Sequence, residues 1–133
     1  MISYENEIFT RIATKLRDMF PGIYVANILN LNPSEFPCAY LEEADNYVYE
    51  NSSDTDTIEN HAVVMWEVNV FSNKIGQKRT EAKAILQAID EEFDKLGFVR
   101  QLTQPINLDD STKYRLVSRY TAVAGKNRVI YRR

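Results

Sequence analysis

The first apolar pattern along the chain is that of an amphipathic helix near the N-terminus. In "SYENEIFTRIATKLRDMF", apolar residues recur at four- and three-residue steps, the spacing of one helical face: Ile8, Ile12, Leu16 and Met19. Ser3 is suited to cap the start of the helix, and Pro21 with Gly22 ends the pattern. The sequence therefore predicts a first helix that packs this face on a core.

A second, longer helix is predicted by "QKRTEAKAILQAIDEEFDKLGF", residues 77–98. Its apolar residues fall within an arc about 100° wide when each residue turns the helix by about 100°. These residues are Ala82, Ile85, Leu86, Ile89, Phe93 and Leu96. Gly97 is placed to cap the C-terminal end. The arc predicts a second helix that faces the core.

The charges of this second helix oppose its dipole. Basic residues crowd its first half and acidic residues its second, whereas a helix dipole favours anions at the start and cations at the end. Arg79, Lys83, Asp90 and Asp94 fall on one flank of the apolar face, so this flank is basic at its start and acidic at its end. Each like-charge pair costs roughly 0.2–0.5 kcal/mol, which the burial of large apolar side chains at about 1.5–3 kcal/mol each outweighs.

Two interpretations of this flank stay open. It is either a solvated face without a role, or a face whose compensating charges lie on another copy of the protein. In the second case Arg79 and Lys83 would meet acids of a neighbour, with Asp90 and Asp94 as first candidates and the acidic segment described below as second.

Alternating patterns predict the strands. "IYVANIL" and "FPCAYLEE" indicate two short strands, with Pro37 at a sheet edge or a strand start. "HAVVMWEVNVFSN" is the clearest strand: it places Val64, Trp66, Val68 and Val70 on one face and Glu67 and Asn69 on the other. "FVRQLTQPINL" predicts another strand, and "KYRLVSRYTAVA" and "RVIYRR" predict a C-terminal hairpin around "GKN".

Residues 44–60, "ADNYVYENSSDTDTIEN", lack periodicity and predict a long surface loop or a loosely held hairpin. We expect this acidic segment to be mobile in the free protein and ordered in an assembly, since it offers few apolar side chains to offset the cost of ordering. Its candidate partner contacts are Tyr47, Tyr49, Asp54, Asp56 and Ile58. The C-terminal hairpin is basic, and its candidate contacts are Arg115, Arg119, Arg128 and Arg132.

The order of predicted elements is helix, two strands, long loop, strand, helix and three strands. Because helices and strands mix without a regular βαβ repeat, the expected fold class is α+β: a mainly antiparallel sheet with two helices packed against it. No repeat, linker or low-complexity tract divides the chain, so residues 1–133 are expected to form one domain.

Composition adds limits on the environment. The chain of 133 residues is 44% apolar and 26% charged, which is typical of a soluble globular protein. No apolar run approaches the roughly 20 residues that span a bilayer, and the N-terminus lacks the features of a signal peptide, so no membrane partner is expected. The single cysteine, Cys38, excludes an internal disulfide and is expected to be a small buried apolar residue.

The sequence offers no recognisable catalytic chemistry. One His and one Cys at distant positions do not supply a nucleophile with its base, and the four glycines are too scattered for a phosphate-binding loop. We therefore expect no catalytic residues, no metal site and no cofactor. A metal-dependent nuclease built on Asp54, Asp56 and Glu81 is the best enzymatic alternative. It is disfavoured because Glu81 and Lys83 point to different sides of a helix.

Direct nucleic-acid binding is a further alternative. Tyr114 and Tyr120 interleave with Arg115 and Arg119, as in single-strand binders that stack bases and hold phosphates. On an alternating strand, however, the two arginines share one face and the two tyrosines the other. The four residues are therefore not expected to form one mixed platform.

Several of these segments together resemble a known family. They are "WEVNVFSNK", "GQKRTEAKAILQAIDEEFDKLGFVR", "QPINL" and "YRLVSRYTAVAGKNRVIYRR". Together they resemble the tail terminator, or tail completion, proteins of long-tailed bacteriophages and prophages, which are often labelled minor tail proteins. The resemblance is best over residues 36–133 and rests on diffuse patterns rather than on a catalytic signature.

The resemblance implies a structural virion protein of the neck. Subunits of α+β fold would form a hexameric ring on the last ring of the tail tube, stop its polymerisation and offer a docking surface to the head connector. DNA would pass through the lumen without specific recognition, and assembly would take place in the bacterial host cytoplasm. Another head-to-tail connector (head completion) component is the alternative within the same class.

Overall fold

The computed structural model describes residues 5–48, 61–125 and 130–131. The described residues form two helices, α1 (Glu5–Met19) and α2 (Lys78–Lys95). The strands are β1 (Tyr24–Ala26), β2 (Cys38–Val48), β3 (His61–Ser72), β4 (Val99–Ile106), β5 (Tyr114–Gly125) and β6 (Ile130–Tyr131). The order of helices and strands is the predicted one.

The strands form one sheet in the order β1-β2-β3-β5-β4, with β6 paired to β5 beyond the end of β4. All pairs are antiparallel except β1 with β2. The two helices pack against this sheet, which confirms the predicted α+β class. In the described part of the chain, the outer edges of β1 and β4 pair with no further strand.

Both helices cover the same face of the sheet. α1 contacts β1, β2 and α2, whereas α2 lies mainly on β3 and β5. The predicted inward face of β3 enters the core between them, since Val64, Trp66, Val68 and Val70 are all buried there. This arrangement leaves the helix side of β4 largely uncovered, and Arg100, Thr103 and Pro105 are exposed on that strand.

Aromatic rings fill the centre of this core. Phe93 of α2 stacks on Tyr120 with 4.4 Å between ring centroids. The rings of Trp66 and Phe98 lie 5.9 and 5.1 Å from that of Phe93. Trp66 and Tyr120 are direct cross-strand partners in β3 and β5. The Trp66 Nε1 and the Tyr120 hydroxyl have no hydrogen-bond partner among the described residues.

The C-terminal end of α2 is closed as the sequence predicts. Gly97 adopts a φ of 89°, the left-handed region that glycine enters without a steric penalty. The Phe98 N–H donates to the Phe93 carbonyl and the Gly97 N–H to the Asp94 carbonyl, the paired bonds of a Schellman motif. The same turn brings the ring of Phe98 onto that of Phe93.

The opposite face of the sheet carries a second, smaller apolar cluster and polar cross-strand contacts. Cys38, Tyr40 and Phe71 are buried there under Leu29, Phe36 and Leu108 from the loops at that end of the sheet. Burial raises the pKa of the Cys38 thiol to about 11. The expectation that Cys38 is a buried apolar residue is confirmed.

Two predicted features need correction. Met19 lies on the apolar side of α1 but is 47% exposed, because the last turn of the helix is not covered by the elements that bury Ile8, Ile12 and Leu16. β2 also continues to Val48, so the first part of residues 44–60 is strand rather than loop.

The extension of β2 follows from the length of its partner. β3 runs over 12 residues, and after a register shift between Glu43 and Asp45 the chain stays paired with it as far as Val48 opposite Ala62. Such a bulge inserts one residue and lets pairing resume, a shift that obscures alternation in the sequence. The hairpin alternative is therefore correct for residues 44–48, and residues 49–60 lie outside the described part of the chain.

Candidate functional site

The charged flank of α2 faces the uncovered strand β4. Lys83 and Asp90 line a groove together with Arg100 and Thr103, on the side of α2 away from α1. Helical geometry places Arg79 and Asp94 on the same flank, one turn before Lys83 and one turn after Asp90. The fold thus brings the predicted flank to one end of the sheet, next to an unpaired strand edge.

This α2–β4 groove has a volume of about 250 Å³. It is lined by Lys83, Leu86, Gln87 and Asp90 from α2 and by Arg100, Thr103 and Leu116 from the sheet. Leu86 and Leu116 are buried and form an apolar floor, while the charged side chains stand around it. The groove therefore combines an apolar base with a charged rim.

Several charges that oppose the helix dipole have partners within the chain. Asp90 forms an ion pair with Arg100 at 3.5 Å. The guanidinium of Arg79 lies 5.6 Å from the ring centroid of Tyr114, in cation–π geometry. The Lys78 ammonium donates a hydrogen bond to the Ser111 carbonyl. Tertiary contacts thus offset part of the unfavourable order of charges along α2.

Lys83 differs from these residues. It is exposed, and it forms no ion pair with any residue in the described ranges. The expectation that Arg79 and Lys83 meet Asp90 and Asp94 of another copy stays a prediction. Among these four residues, Lys83 is the cation that lines the groove, and it forms no ion pair with any described residue.

Glu92 is one of the acids in the second half of α2, and the sequence pattern indicated no particular role for it. It is buried between the helices, where Arg11 of α1 contacts one carboxylate oxygen at 3.2 Å and Lys95 the other at 3.0 Å. Burial would raise the pKa of Glu92, but the hydrogen bonds from Lys95 and Arg11 hold it below its usual range. No signal in a single sequence shows which flank of α2 receives α1.

The predicted basic contacts of β5 are engaged within the sheet. Arg115 donates from Nε and Nη2 to the Asn69 side-chain oxygen at 2.9 and 2.7 Å, and its guanidinium lies over the Phe71 ring. Arg119 lies 3.6 Å from Glu67 on the neighbouring strand. Arg128 and Arg132 lie outside the described residues.

The structure also separates tyrosine from arginine, as the alternation predicts. Tyr120 is buried in the core beneath α2, and Tyr114 packs against the same core. Arg115 and Arg119 lie opposite Phe71 and Glu67, on the other face of the sheet. The four residues do not form a mixed surface for stacking bases and binding phosphates.

Among the candidate contacts of the acidic segment, Tyr47 lies within β2, opposite Val63. Tyr49, Asp54, Asp56 and Ile58 fall outside the described residues. Their role as partner contacts stays a prediction.

The carboxylate considered for a metal site has a structural partner. The Ser72 hydroxyl donates to Glu81 Oε1 at 2.6 Å, where β3 leads into α2, whereas Lys83 lies in the groove on another side of the helix. Within residues 5–48, 61–125 and 130–131, no group of three or more His, Cys, Asp and Glu side chains is placed to hold a metal ion.

A wider cleft of about 490 Å³ lies at the start of α2. The loop that leaves β3 forms one wall, and Ser111 and Thr112 form the other. At the tip of that loop, Ile75 is 98% exposed next to Gly76, which has a φ of 73°. The cleft is open and basic, since Lys74, Lys78 and Arg79 surround it.

No known protein family matches the chain, and no curated protein matches its sequence. Neither described helix has both the length and the apolar character of a membrane-spanning segment.

Proposed function

We propose that this protein is a tail terminator of a long-tailed bacteriophage or prophage. Its subunits assemble into a ring on the end of the tail tube, stop tube polymerisation and offer a docking surface to the head connector. The observation that carries the proposal is the pair of unlike sheet edges that pair with no further strand among the described residues: β1 at one end, and β4 with the charged α2 flank at the other.

Unlike edges favour rings because a closed ring uses heterologous contacts, in which one surface of each subunit meets a different surface of the next. A subunit with one self-complementary patch would instead stop at a twofold dimer. The β4 edge carries a groove with ionised side chains, and the β1 edge is the shorter, three-residue strand. These two ends of the sheet thus offer the two different surfaces that such a contact uses.

The sequence supports the same proposal. Four segments resemble tail terminator proteins; one contains α2, one contains β5, and the other two overlap β3 and β4. The family resemblance implies a subunit of α+β fold, and this fold class is the one described above. Fold class alone is shared by proteins of many functions, so the test must address assembly directly.

A tube-capping experiment tests the proposal. Tail-tube protein from the same phage or prophage is polymerised with and without this protein, and tube lengths and tube ends are recorded by negative-stain electron microscopy. We expect isolated rings in the protein alone, shorter tubes at increasing protein concentration, and a ring at one end of each tube. Tube protein alone supplies the control length distribution.

Two outcomes would contradict the proposal. Tubes of unchanged length with bare ends would exclude a terminator. Rings that bind the purified head connector and ignore the tube would identify a head completion component instead. In either case, the mass of the protein alone, measured by light scattering, shows separately whether it forms a ring.

A further inference from the structure

Among the described residues, the exposed large apolar side chains fall mainly in one stretch of the chain. Five large apolar residues are exposed among those described, and four of them lie in one short stretch: Met19, Tyr24, Ile28 and Leu31. The stretch runs from the end of α1 through β1 and into the following loop. Scattered exposed apolar residues are normal, but clustered ones mark interaction sites.

The same stretch carries no charge. From residue 19 to residue 34 there is no Asp, Glu, Lys or Arg, the longest such interval in a chain that is 26% charged. We call residues 19–34 the β1 edge segment. The segment also contributes Ile23, Val25 and Leu29 to the apolar clusters. Its exposed apolar side chains are therefore additional to those that it packs inside.

We propose that the β1 edge segment of one copy of this protein docks in the α2–β4 groove of the next copy. This inference rests on the proposed ring and names the two surfaces that would close it. The docking partner is a second copy of the chain, held head to tail, so that each subunit offers its β1 edge to one neighbour and its groove to the other.

The groove suits apolar side chains better than a free ligand. Its volume of about 250 Å³ is below the roughly 300–1,000 Å³ of typical small-molecule pockets. Its floor is Leu86 and Leu116, which would receive branched aliphatic side chains such as Ile28 and Leu31. These two are the most exposed apolar residues of the segment, at 74% and 62%.

Charges at the borders agree with the same pairing. An exposed acid stands at each end of the β1 edge segment, Asp18 before it and Glu35 after it. Lys83 stands on the groove rim and forms no ion pair with the described residues. The groove and the edge are different surfaces at opposite ends of the sheet order, and a head-to-tail contact joins two different surfaces.

Paired cysteines test the contact. Leu31→Cys, Gln87→Cys and the double variant are treated with a short bismaleimide and separated under denaturing conditions. The native Cys38 is fully buried and does not compete for the reagent. We expect no cross-linking in either single variant, dimers in an equimolar mixture of the two, and a ladder of covalent multimers in the double variant.

The alternative contact gives a different pattern. If the α2 flanks pair across a twofold axis, Arg79 and Lys83 meet Asp90 and Asp94 of the partner, and Gln87 near the middle meets its own copy. Gln87→Cys alone would then form dimers, and the proposal would be wrong. An assembled protein that yields no cross-link in the double variant, or a chain that stays monomeric, would overturn it as well.

A matched pair of substitutions supplies the second measurement. Ile28→Glu with Leu31→Glu should weaken self-association about a hundredfold, since two carboxylates would enter an apolar contact. Ile75→Glu, at an even more exposed apolar position far along the chain, should change it less than about twofold. Equal effects of the two changes would contradict the proposal.

The experiments distinguish failure of the tail-terminator function from failure of the proposed docking contact. Rings that cap tubes without the predicted cross-links would leave the terminator function standing and reject these docking surfaces. A multimer ladder from a protein without effect on tubes would support the docking contact and reject the terminator function.

Discussion

At the scale of single residues, Glu92 shows how a tertiary contact changes the meaning of a charge. In the sequence it is one of four acids in the second half of α2, on a helix whose charges oppose the dipole. In the fold it is buried and bridges Arg11 and Lys95, so its negative charge stabilises the contact between α1 and α2.

We predict that Glu92→Gln lowers the free energy of unfolding by about 1–2 kcal/mol at pH 7, because hydrogen bonds to a charged group are lost. The folded-state pKa of Glu92 is lowered, so its contribution is present above the unfolded pKa and is lost as the pH falls through the folded value. Urea unfolding at pH 7 and at pH 3 measures the difference between the two proteins.

The difference should shrink at pH 3, because the unfolded carboxylate, with its higher pKa, protonates first and the stabilisation by the ionised Glu92 falls with it. Glu91→Gln, the same change at an exposed neighbouring position, is the matched control and should stay within about 0.5 kcal/mol. A Glu92 effect that is equal at both pH values would show that its charge does not matter.

At the scale of elements, α1 divides into a packed part and an uncovered end. Leu16 is fully buried and Met19 is 47% exposed, although both lie on the predicted apolar face. Helical periodicity predicts the direction of a side chain, whereas burial also needs a covering element at that height along the helix.

We predict that Leu16→Ala lowers the free energy of unfolding by about 2–5 kcal/mol, since it leaves a cavity in the core. Met19→Ala should cost less than about 0.5 kcal/mol, as for most surface substitutions. Thermal and urea unfolding of both variants check this contrast. Similar losses for the two would mean that Met19 is buried, as the sequence pattern predicted.

Much of the fold follows from local patterns, for reasons visible in particular elements. The inward face of β3 and the cap at Gly97 depend on alternation and on one glycine, both of which are readable along the chain. The extension of β2 depends on pairing across a bulge with a long partner, and the α2–β4 groove depends on which flank α1 occupies. Such relations between distant segments leave no period in a single sequence.

The candidate site was also predictable only where it depends on one segment of the chain. The flank that contains Lys83 and Asp90 could be drawn on a helical wheel. Arg100 and Thr103 could not be added to it, because β4 reaches the helix only through its pairing with β5. The exposed apolar edge at β1 was hidden too, since its sequence reads as an ordinary strand and loop.

At the scale of the whole molecule, the two ends of the sheet differ in the side chains they present. The β4 end carries ionised side chains around its groove, and the β1 edge segment carries none. An assembly built from such ends gains contact area from the apolar part and orientation from the charged part.

We predict that Lys83→Glu weakens self-association about two- to fivefold at low salt, since partly exposed ion pairs contribute about 0.5–1 kcal/mol. Lys74→Glu makes the same charge change in the loop before α2, outside the groove, and should have little effect. Analytical ultracentrifugation at about 50 and 500 mM salt measures both. The Lys83 effect should fade at high salt, where surface charges are screened.

The same loss of affinity at both salt concentrations, or an equal loss for Lys74→Glu, would show that Lys83 does not act through its charge in the groove. The charge of Lys83 would then belong to a solvated surface.

The position of Trp66 gives the molecule an internal optical reporter. It is the single tryptophan, it is fully buried against Phe93, and it lies in the central strand β3 rather than at either free edge. Its fluorescence should shift to longer wavelength when the core opens to water and stay constant when subunits separate. One emission spectrum thus distinguishes a dissociated ring from an unfolded chain.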